Sequence, residues 1–129
     1  MVATLGSAPA VTLQRPGTYC VVGMTSGLGV AVMTRELSGT VHVQASEAGH
    51  AGFAPGSKAV ADLVAAMFPG RLPVVAEHLI SANGLVAIYN ALAAIRKSSK
   101  QMTRPEDITR QASSDPLARE ACEMLCEAF

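Results

Sequence analysis

The stretch from residue 19 to residue 44 reads YCVVGMTSGLGVAVMTRELSGTVHVQ, and it decides the fold class. It contains three apolar runs rich in β-branched residues, at positions 19–23, 29–34 and 40–44. Glycine- and serine-containing turns separate these runs. Short connections of this kind join neighbouring antiparallel strands, so the stretch predicts a three-stranded antiparallel β-meander.

Beyond Pro55 the apolar residues recur at helical spacing, which predicts four or five helices. Two apolar stripes carry this prediction, Ala59-Leu63-Ala66-Met67 and Leu85-Ile88-Tyr89-Leu92-Ile95. Pro105 and Pro116 mark two further helix starts, with Thr103 as the cap of the first and Ser114-Asp115 preceding the second.

Strands followed by helices, without strict alternation, indicate an α/β protein with an α+β arrangement. We expect residues 1–16 to be an N-terminal extension, residues 17–55 to hold the meander and residues 56–129 to be helical. Helices covering one face of three strands leave a sheet edge unpaired, and an unpaired edge favours association with another chain. The open edge and the last helix are therefore candidate surfaces for a homo-oligomer.

Composition narrows the possible partners and compartment. Ten basic residues balance ten acidic ones, so the electrostatic footprint of a nucleic-acid or anionic-membrane binder is missing. No apolar run approaches the roughly 18 residues of a membrane span, and the first residues do not resemble a signal peptide. The three cysteines, an odd number without a CxxC pair, favour a reducing compartment, and we expect a cytoplasmic protein.

The glycine-rich turn between the first two predicted strands is a candidate phosphate site. Its candidate residues are Gly23, Thr25, Ser26, Gly27 and Gly29. Glycines allow a backbone to aim successive N–H groups at a phosphate, and the hydroxyls add donors. It is neither a P-loop nor a dinucleotide-binding turn, because no Gly-Lys-Ser/Thr ending is present and a strand follows it. From the segment alone, an ordinary tight turn is the alternative.

Glu47, His50 and Glu77 are candidate binding residues for a polyhydroxylated ligand. Carboxylate and imidazole groups can exchange hydrogen bonds with vicinal hydroxyls, as a sugar requires. Taken locally, the pattern of Glu47 and His50 favours a solvated loop, and that of Glu77 a helix-dipole contact. A metal-dependent hydrolase built on Glu47, His50 and His78 is a weaker alternative, because a third ligand at close spacing is missing.

The order of these segments resembles the bacterial ATP-dependent glucokinases. The resemblance rests on the glycine-rich hairpin followed by three motifs, Glu-x-Gly-His-x-x-Phe-Ala-Pro, Glu-x-x-x-Ser-x-x-Gly-Leu-x-x-x-Tyr-x-Ala-Leu and Pro-Glu-Asp-Ile-Thr. It runs from about Gly17 to Phe129 and covers well under half of a full-length glucokinase. It implies an incomplete actin-like, ribonuclease-H-like domain. It also implies ATP and Mg²⁺ as cofactors and glucose or a similar hexose as substrate.

Carried over position by position, the resemblance assigns Glu47, His50 and Glu77 to glucose hydroxyls. It places Thr25, Ser26 and Gly27 nearest the ATP phosphates. The chain departs from the family pattern at seven positions in four places: Thr25-Ser26 replaces Gly-Thr, Ser46 and Ala48 replace glycines, Gly52 replaces an aspartate, and Ala82-Asn83 replaces Gly-Pro.

The catalytic base of the family is not matched in this chain. Glucokinases take it from an Asn-Asp pair upstream of the hairpin, and residues 1–16 contain no acidic residue. Asp62, Asp107 and Asp115 lie in or at the start of predicted helices. We therefore expect a chain that supplies the sugar-binding wall and part of the phosphate site of a glucokinase, with little activity alone. The alternative is a non-catalytic sugar-binding or dimerisation module derived from a glucokinase.

Overall fold

The computed structural model describes residues 14–129, so residues 1–13 of the predicted N-terminal extension lie outside the described part. Three strands come first: β1 (Gly17–Met24), β2 (Leu28–Arg35) and β3 (Val41–Ser46). Four α-helices follow: α1 (Lys58–Met67), α2 (Ala82–Ile95), α3 (Pro105–Gln111) and α4 (Pro116–Ala128). Two single 3₁₀ turns, at Ala48–His50 and Ala76–His78, precede α1 and α2 respectively. The predicted meander and helices are confirmed.

The strands form one antiparallel sheet in the order β1-β2-β3. Gly23 is opposite Gly29, and Val30 is opposite both Val22 and Ser46. This register makes the segment from Met24 to Leu28 a tight turn at one end of the sheet. The chain leaves β3 at the same end and enters the 3₁₀ turn that contains His50.

The helices form a core of their own. Tyr89, Ile88 and Ile108 are completely buried, together with the small residues of α4 against which they pack. A second apolar cluster, formed by Val60, Val74, Leu79 and Ile80 with partly buried Leu28 and Phe53, joins this core to the sheet. The stripes predicted for α1 and α2 are confirmed only in part: Leu63, Leu85, Ile88, Tyr89 and Leu92 are buried, whereas Ala59, Ala66 and Ile95 are exposed. Val60, outside the predicted stripe, is a completely buried residue of α1, because this helix turns that side toward the second cluster. The helical half is therefore the stable frame on which the turn end of the sheet rests.

From the element order we expected the helices to cover one face of the sheet. In the structure they cover neither face. Val21 and Val43 lie on one face and are 49% and 69% exposed, while Val22 and Val32 on the other face are 43% and 38% exposed. The physical reason is that the helices pack on one another and meet the sheet only near its turn end. Strands that are apolar on both faces are typical of a sheet covered on both sides.

Helix starts follow the predicted pattern with one correction. Ser57 and Ser81 cap α1 and α2 by accepting hydrogen bonds from Val60 and Gly84 N–H. At α3 the cap position is Arg104 rather than the predicted Thr103, and it makes no side-chain cap hydrogen bond. Pro105 fixes the first helical residue there, and the helix begins one position later than a Thr103 cap requires.

Asp115 is buried at the start of α4, and we expect its removal to weaken the helical core. One carboxylate oxygen accepts from Leu117 N–H at 3.0 Å and the other from Lys100 Nζ at 2.8 Å. Asp115→Ala removes both the cap and the ion pair and should lower the free energy of unfolding by about 2 kcal/mol. Asp115→Asn keeps an oxygen for the cap and should lose less. Urea unfolding of the two variants measures the difference, and equal losses would contradict a capping role.

The same pair predicts the direction of a pH effect. The hydrogen bond from Lys100 lowers the pKa of Asp115 below its ordinary value of 3.8, and the Leu117 N–H lowers it further. A carboxyl whose folded pKa is depressed adds stability above its unfolded pKa and loses it as the pH falls through the folded pKa. The stability advantage of the wild type over Asp115→Asn should therefore shrink below pH 3.8.

Candidate functional site

Three of the predicted site residues form a continuous chain of contacts that ends on the glycine-rich turn. His50 Nδ1 lies 3.3 Å from Glu47 Oε2, and His50 Nε2 lies 3.5 Å from Glu77 Oε1. The other oxygen of Glu77 accepts a hydrogen bond from the backbone N–H of Leu28 at 3.0 Å. The structure thus brings together side chains at the two 3₁₀ turns and a backbone N–H at the start of β2.

Two glycines permit this close assembly. A Cβ on Gly27 would collide with the Glu77 carboxylate, and a Cβ on Gly49 would collide with the Leu28 carbonyl oxygen. Gly49 is the buried residue of its 3₁₀ turn. The turn that carries His50 can therefore lie directly against the backbone of β2, because no side chain stands between them.

The charge state of Glu77 follows from these contacts. The Leu28 N–H is the main reason why the pKa of Glu77 is lowered from its ordinary value of 4.5, and His50 contributes in the same direction. Desolvation by the surrounding protein opposes the shift only in part. Glu77 is therefore a carboxylate at neutral pH, and it acts as an acceptor toward any hydroxyl that approaches it.

The glycine-rich turn points its acceptors into the protein. The carbonyl oxygen of Thr25 accepts from Ala82 N–H at 2.8 Å, and that of Ser26 accepts from Asn83 Nδ2 at 3.0 Å. Within residues 14–129 the hydroxyls of Thr25 and Ser26 have no hydrogen-bond partner, and both residues are exposed. The turn thus offers donors rather than carbonyls to solvent, which is the arrangement that suits an anion.

A shallow cleft of about 240 Å³ lies between the turn and the start of α2. Ser26, Glu77 and Asn83 supply polar groups to its wall, and Phe68 and His78 line it as well. Glu47 and His50 are not among its lining residues, and their side chains are 88% and 59% exposed. The predicted residues therefore share a line of contacts at the surface, with Glu77 alone also reaching the cleft.

Other candidates from the sequence lie elsewhere. His78 Nδ1 accepts from Val75 N–H at 3.2 Å, and among residues 14–129 no group of three His, Cys, Asp or Glu side chains could hold a metal ion. Asp62 and Asp107 are paired with basic residues of their own helices. Asp62, Asp107 and Asp115 are thus engaged in ion pairs of their own and take no part in the contacts of Glu47 and Glu77.

Comparison with known proteins identifies the family. The family model for glucokinase matches residues 2–129. The chain belongs to the glucokinase family. The match begins ahead of Gly17, where the motif resemblance starts.

Relatives in the glucokinase family are moderately similar in sequence and much longer. Glucokinase of Saccharophagus degradans is 32% identical over 119 residues, covering 91% of this chain and 37% of that protein. Glucokinase of Marinobacter nauticus is 37% identical over 112 residues, covering 83% of this chain and 34% of that protein. The chain therefore spans about a third of the length of these glucokinases.

Solved glucokinase structures share the fold. A glucokinase from an Antarctic psychrotroph superimposes with a TM-score of 0.75 at 21% identity, over 92% of this chain and 37% of that one. The glucokinase of Balamuthia mandrillaris in complex with glucose gives 0.77 at 24% identity, over 89% and 34%. The predicted α+β arrangement is confirmed, and it is the fold of about a third of each of these glucokinases. In the described part of the chain, residues 14–129, no helix is long and apolar enough to span a membrane.

Proposed function

We propose that this chain forms the hexose-binding wall and part of the ATP phosphate site of a glucokinase. The observation that carries the proposal is the line of contacts from Glu47 through His50 to Glu77 and on to the Leu28 N–H. It supports the proposal because Glu47, His50 and Glu77 share one surface with the glycine-rich turn, and transfer of a phosphoryl group from ATP to a sugar hydroxyl requires both substrates to be held side by side.

The roles differ along this line. Glu77 is held by the Leu28 N–H and keeps its second oxygen directed toward His50, where a sugar hydroxyl can donate to it. Glu47 and His50 are exposed and offer further acceptor and donor positions. The free hydroxyls of Thr25 and Ser26, beside the N–H groups of the turn, donate to a phosphate oxygen.

We expect catalysis to need groups beyond those named above, because the Asn-Asp pair that the family resemblance implies is not matched in the sequence. The proton of the sugar hydroxyl must pass to a base, and loss of a general base typically costs about 10²–10⁴-fold in rate. Magnesium is bound mainly through nucleotide phosphates, one or two carboxylates and water; here it enters only with ATP. We therefore assign to this chain substrate positioning rather than turnover.

A cytoplasmic location remains a prediction.

Glucose titration by calorimetry tests the proposal on the full 129-residue chain. We expect binding heat with the wild type and an affinity at least tenfold weaker in Glu77→Gln, because a charged acceptor of two hydrogen bonds becomes neutral. Glu123→Gln makes the same charge change at an exposed position of α4 and should bind like the wild type. No heat with the wild type, or equal heat in Glu77→Gln, would contradict the sugar assignment.

A second candidate is an assembly module in which two copies of the chain associate through the open sheet. The observations that favour it are the exposed valines on both sheet faces and an apolar cleft of about 350 Å³ between β1 and the end of α4. Met24, Leu125 and Phe129 line this cleft. Light scattering on the calorimetry samples separates the candidates, because a compact monomer that binds glucose contradicts assembly as the function.

A further inference from the structure

Two places at which the chain departs from the glucokinase sequence pattern lie in direct contact. Thr25 and Ser26 form the exposed part of the turn, and Ala82-Asn83 is the first pair of residues of α2. The Ala82 N–H donates to the Thr25 carbonyl at 2.8 Å, and Asn83 Nδ2 donates to the Ser26 carbonyl at 3.0 Å. The second bond is specific to asparagine, because the proline expected at this position has no side-chain donor.

We infer that Asn83 is a positioning residue that holds the turn in the orientation in which it can accept a phosphate. The inference rests on the proposed function, since it concerns the same turn. Asn83 touches no reacting atom and acts through the Ser26 carbonyl. Together with the bonds from Ala82 to Thr25 and from Leu28 to Glu77, it completes three attachments between the turn and the segment that begins at Glu77.

Of the three attachments, one is made by the Asn83 side chain itself, and the other two depend on it only indirectly. Leu28 N–H and Ala82 N–H are backbone donors whose bonds form only while the turn lies against the segment from Glu77 to Asn83. Loss of the hydrogen bond from the Asn83 amide group to the Ser26 carbonyl lets the turn open locally, because Thr25 and Ser26 are exposed. Local openings of this kind are measured by hydrogen exchange of the amides that they release.

Asparagine at this position is not needed for the helix itself. Asn83 is the second residue of α2, and Ser81 already caps the helix through Gly84 N–H at 2.9 Å. Aspartate is favourable in the first turn of a helix, and proline is tolerated there. Asn83→Asp and Asn83→Pro therefore remove the donor to Ser26 while preserving α2, and the thermal midpoint of Asn83→Asp should be unchanged or higher.

Native-state hydrogen exchange of the ligand-free chain, followed by NMR, is the first measurement. We expect the amides of Leu28 and Ala82 to exchange about five- to tenfold faster in both variants, which corresponds to one net hydrogen bond. The core amides of Ile88 and Ile108 should be unaffected. Gln101→Glu makes the same amide-to-carboxylate change at an exposed residue and should leave all four rates unchanged. Unchanged exchange at Leu28, or equal acceleration at Ile88, would overturn the inference.

Titration with inorganic tripolyphosphate, read from the amide shifts of Ser26 and Gly27, is the second measurement. The inference predicts that tripolyphosphate binds Asn83→Asp and Asn83→Pro more weakly than the wild type, because the apparent affinity depends on the population of the orientation that binds. Faster exchange with undiminished tripolyphosphate affinity would overturn it. A wild-type chain that binds no tripolyphosphate contradicts the phosphate part of the proposed function instead, and the exchange rates then decide separately whether Asn83 holds the turn.

Discussion

Gly84→Ala should lower the free energy of unfolding by about 3 kcal/mol or more, although alanine is the better helix former. Gly84 is buried in the first turn of α2, where the chain bends out of the preceding 3₁₀ turn. A Cβ there would collide with the carbonyl group of Leu79, which is itself completely buried. The obstacle is backbone in a packed core, so a change of side-chain rotamer cannot relieve it.

Urea denaturation with a two-state fit measures this loss. Gly56→Ala is the matched control, because a Cβ at Gly56 meets nothing within 4 Å and its φ is not in the left-handed region. We expect the control to unfold like the wild type or slightly later. An unfolding free energy for Gly84→Ala within 1 kcal/mol of the control, on the order of ordinary surface scatter, would contradict the proposed collision.

Gly49→Ala should damage both stability and the candidate sugar site. A Cβ on Gly49 would collide with the Leu28 carbonyl oxygen, so the 3₁₀ turn must move away from β2. His50 follows Gly49 directly and would lose its position 3.5 Å from Glu77. We expect a stability loss of about 2–3 kcal/mol and a glucose affinity at least tenfold weaker than that of the wild type.

Gly52→Ala provides the comparison for this second variant. It lies three residues further along the same loop, and a Cβ there has no atom within 4 Å. Calorimetry and urea unfolding of the two variants should therefore diverge. Glucose binding by Gly49→Ala at wild-type strength would show that the approach of this turn to β2 is irrelevant to the sugar.

The sequence pattern predicted the elements well, because each depends on local chemistry. The three apolar runs became β1, β2 and β3, and Pro105 and Pro116 are the first residues of α3 and α4 as predicted. Asn83-Gly84 is a dipeptide that favours turns in isolation, but the Ser81 cap and the contact with the hairpin hold it in a helix.

The candidate site was predictable only in part. Glu47 and His50 are three residues apart, so their proximity could be expected, and family resemblance supplied Glu77. The hydrogen bond from Leu28 N–H to Glu77 and the Asn83 contact with Ser26 had no sequence signal. Both join segments distant along the chain, and their geometry depends on how the turn end of the sheet docks on the helices. The uncovered sheet was missed for the same reason, because strand patterns do not reveal which neighbour covers them.

In the part of the chain that the structure describes, the sheet contacts the rest of the protein at one end only, so a small rotation at that end displaces the opposite end much further. The attached end consists of the glycine-rich turn and the 3₁₀ turn at Ala48–His50, and the loop between β2 and β3 is at the free end. A strand of eight residues such as β1 is about 26 Å long at roughly 3.3 Å per residue. A rotation of the sheet by about 10° at the attached end, where Leu28 N–H donates to Glu77, would move the free end by about 4–5 Å over that strand length. Small changes around the carboxylate would thus be amplified into large excursions of the distal loop.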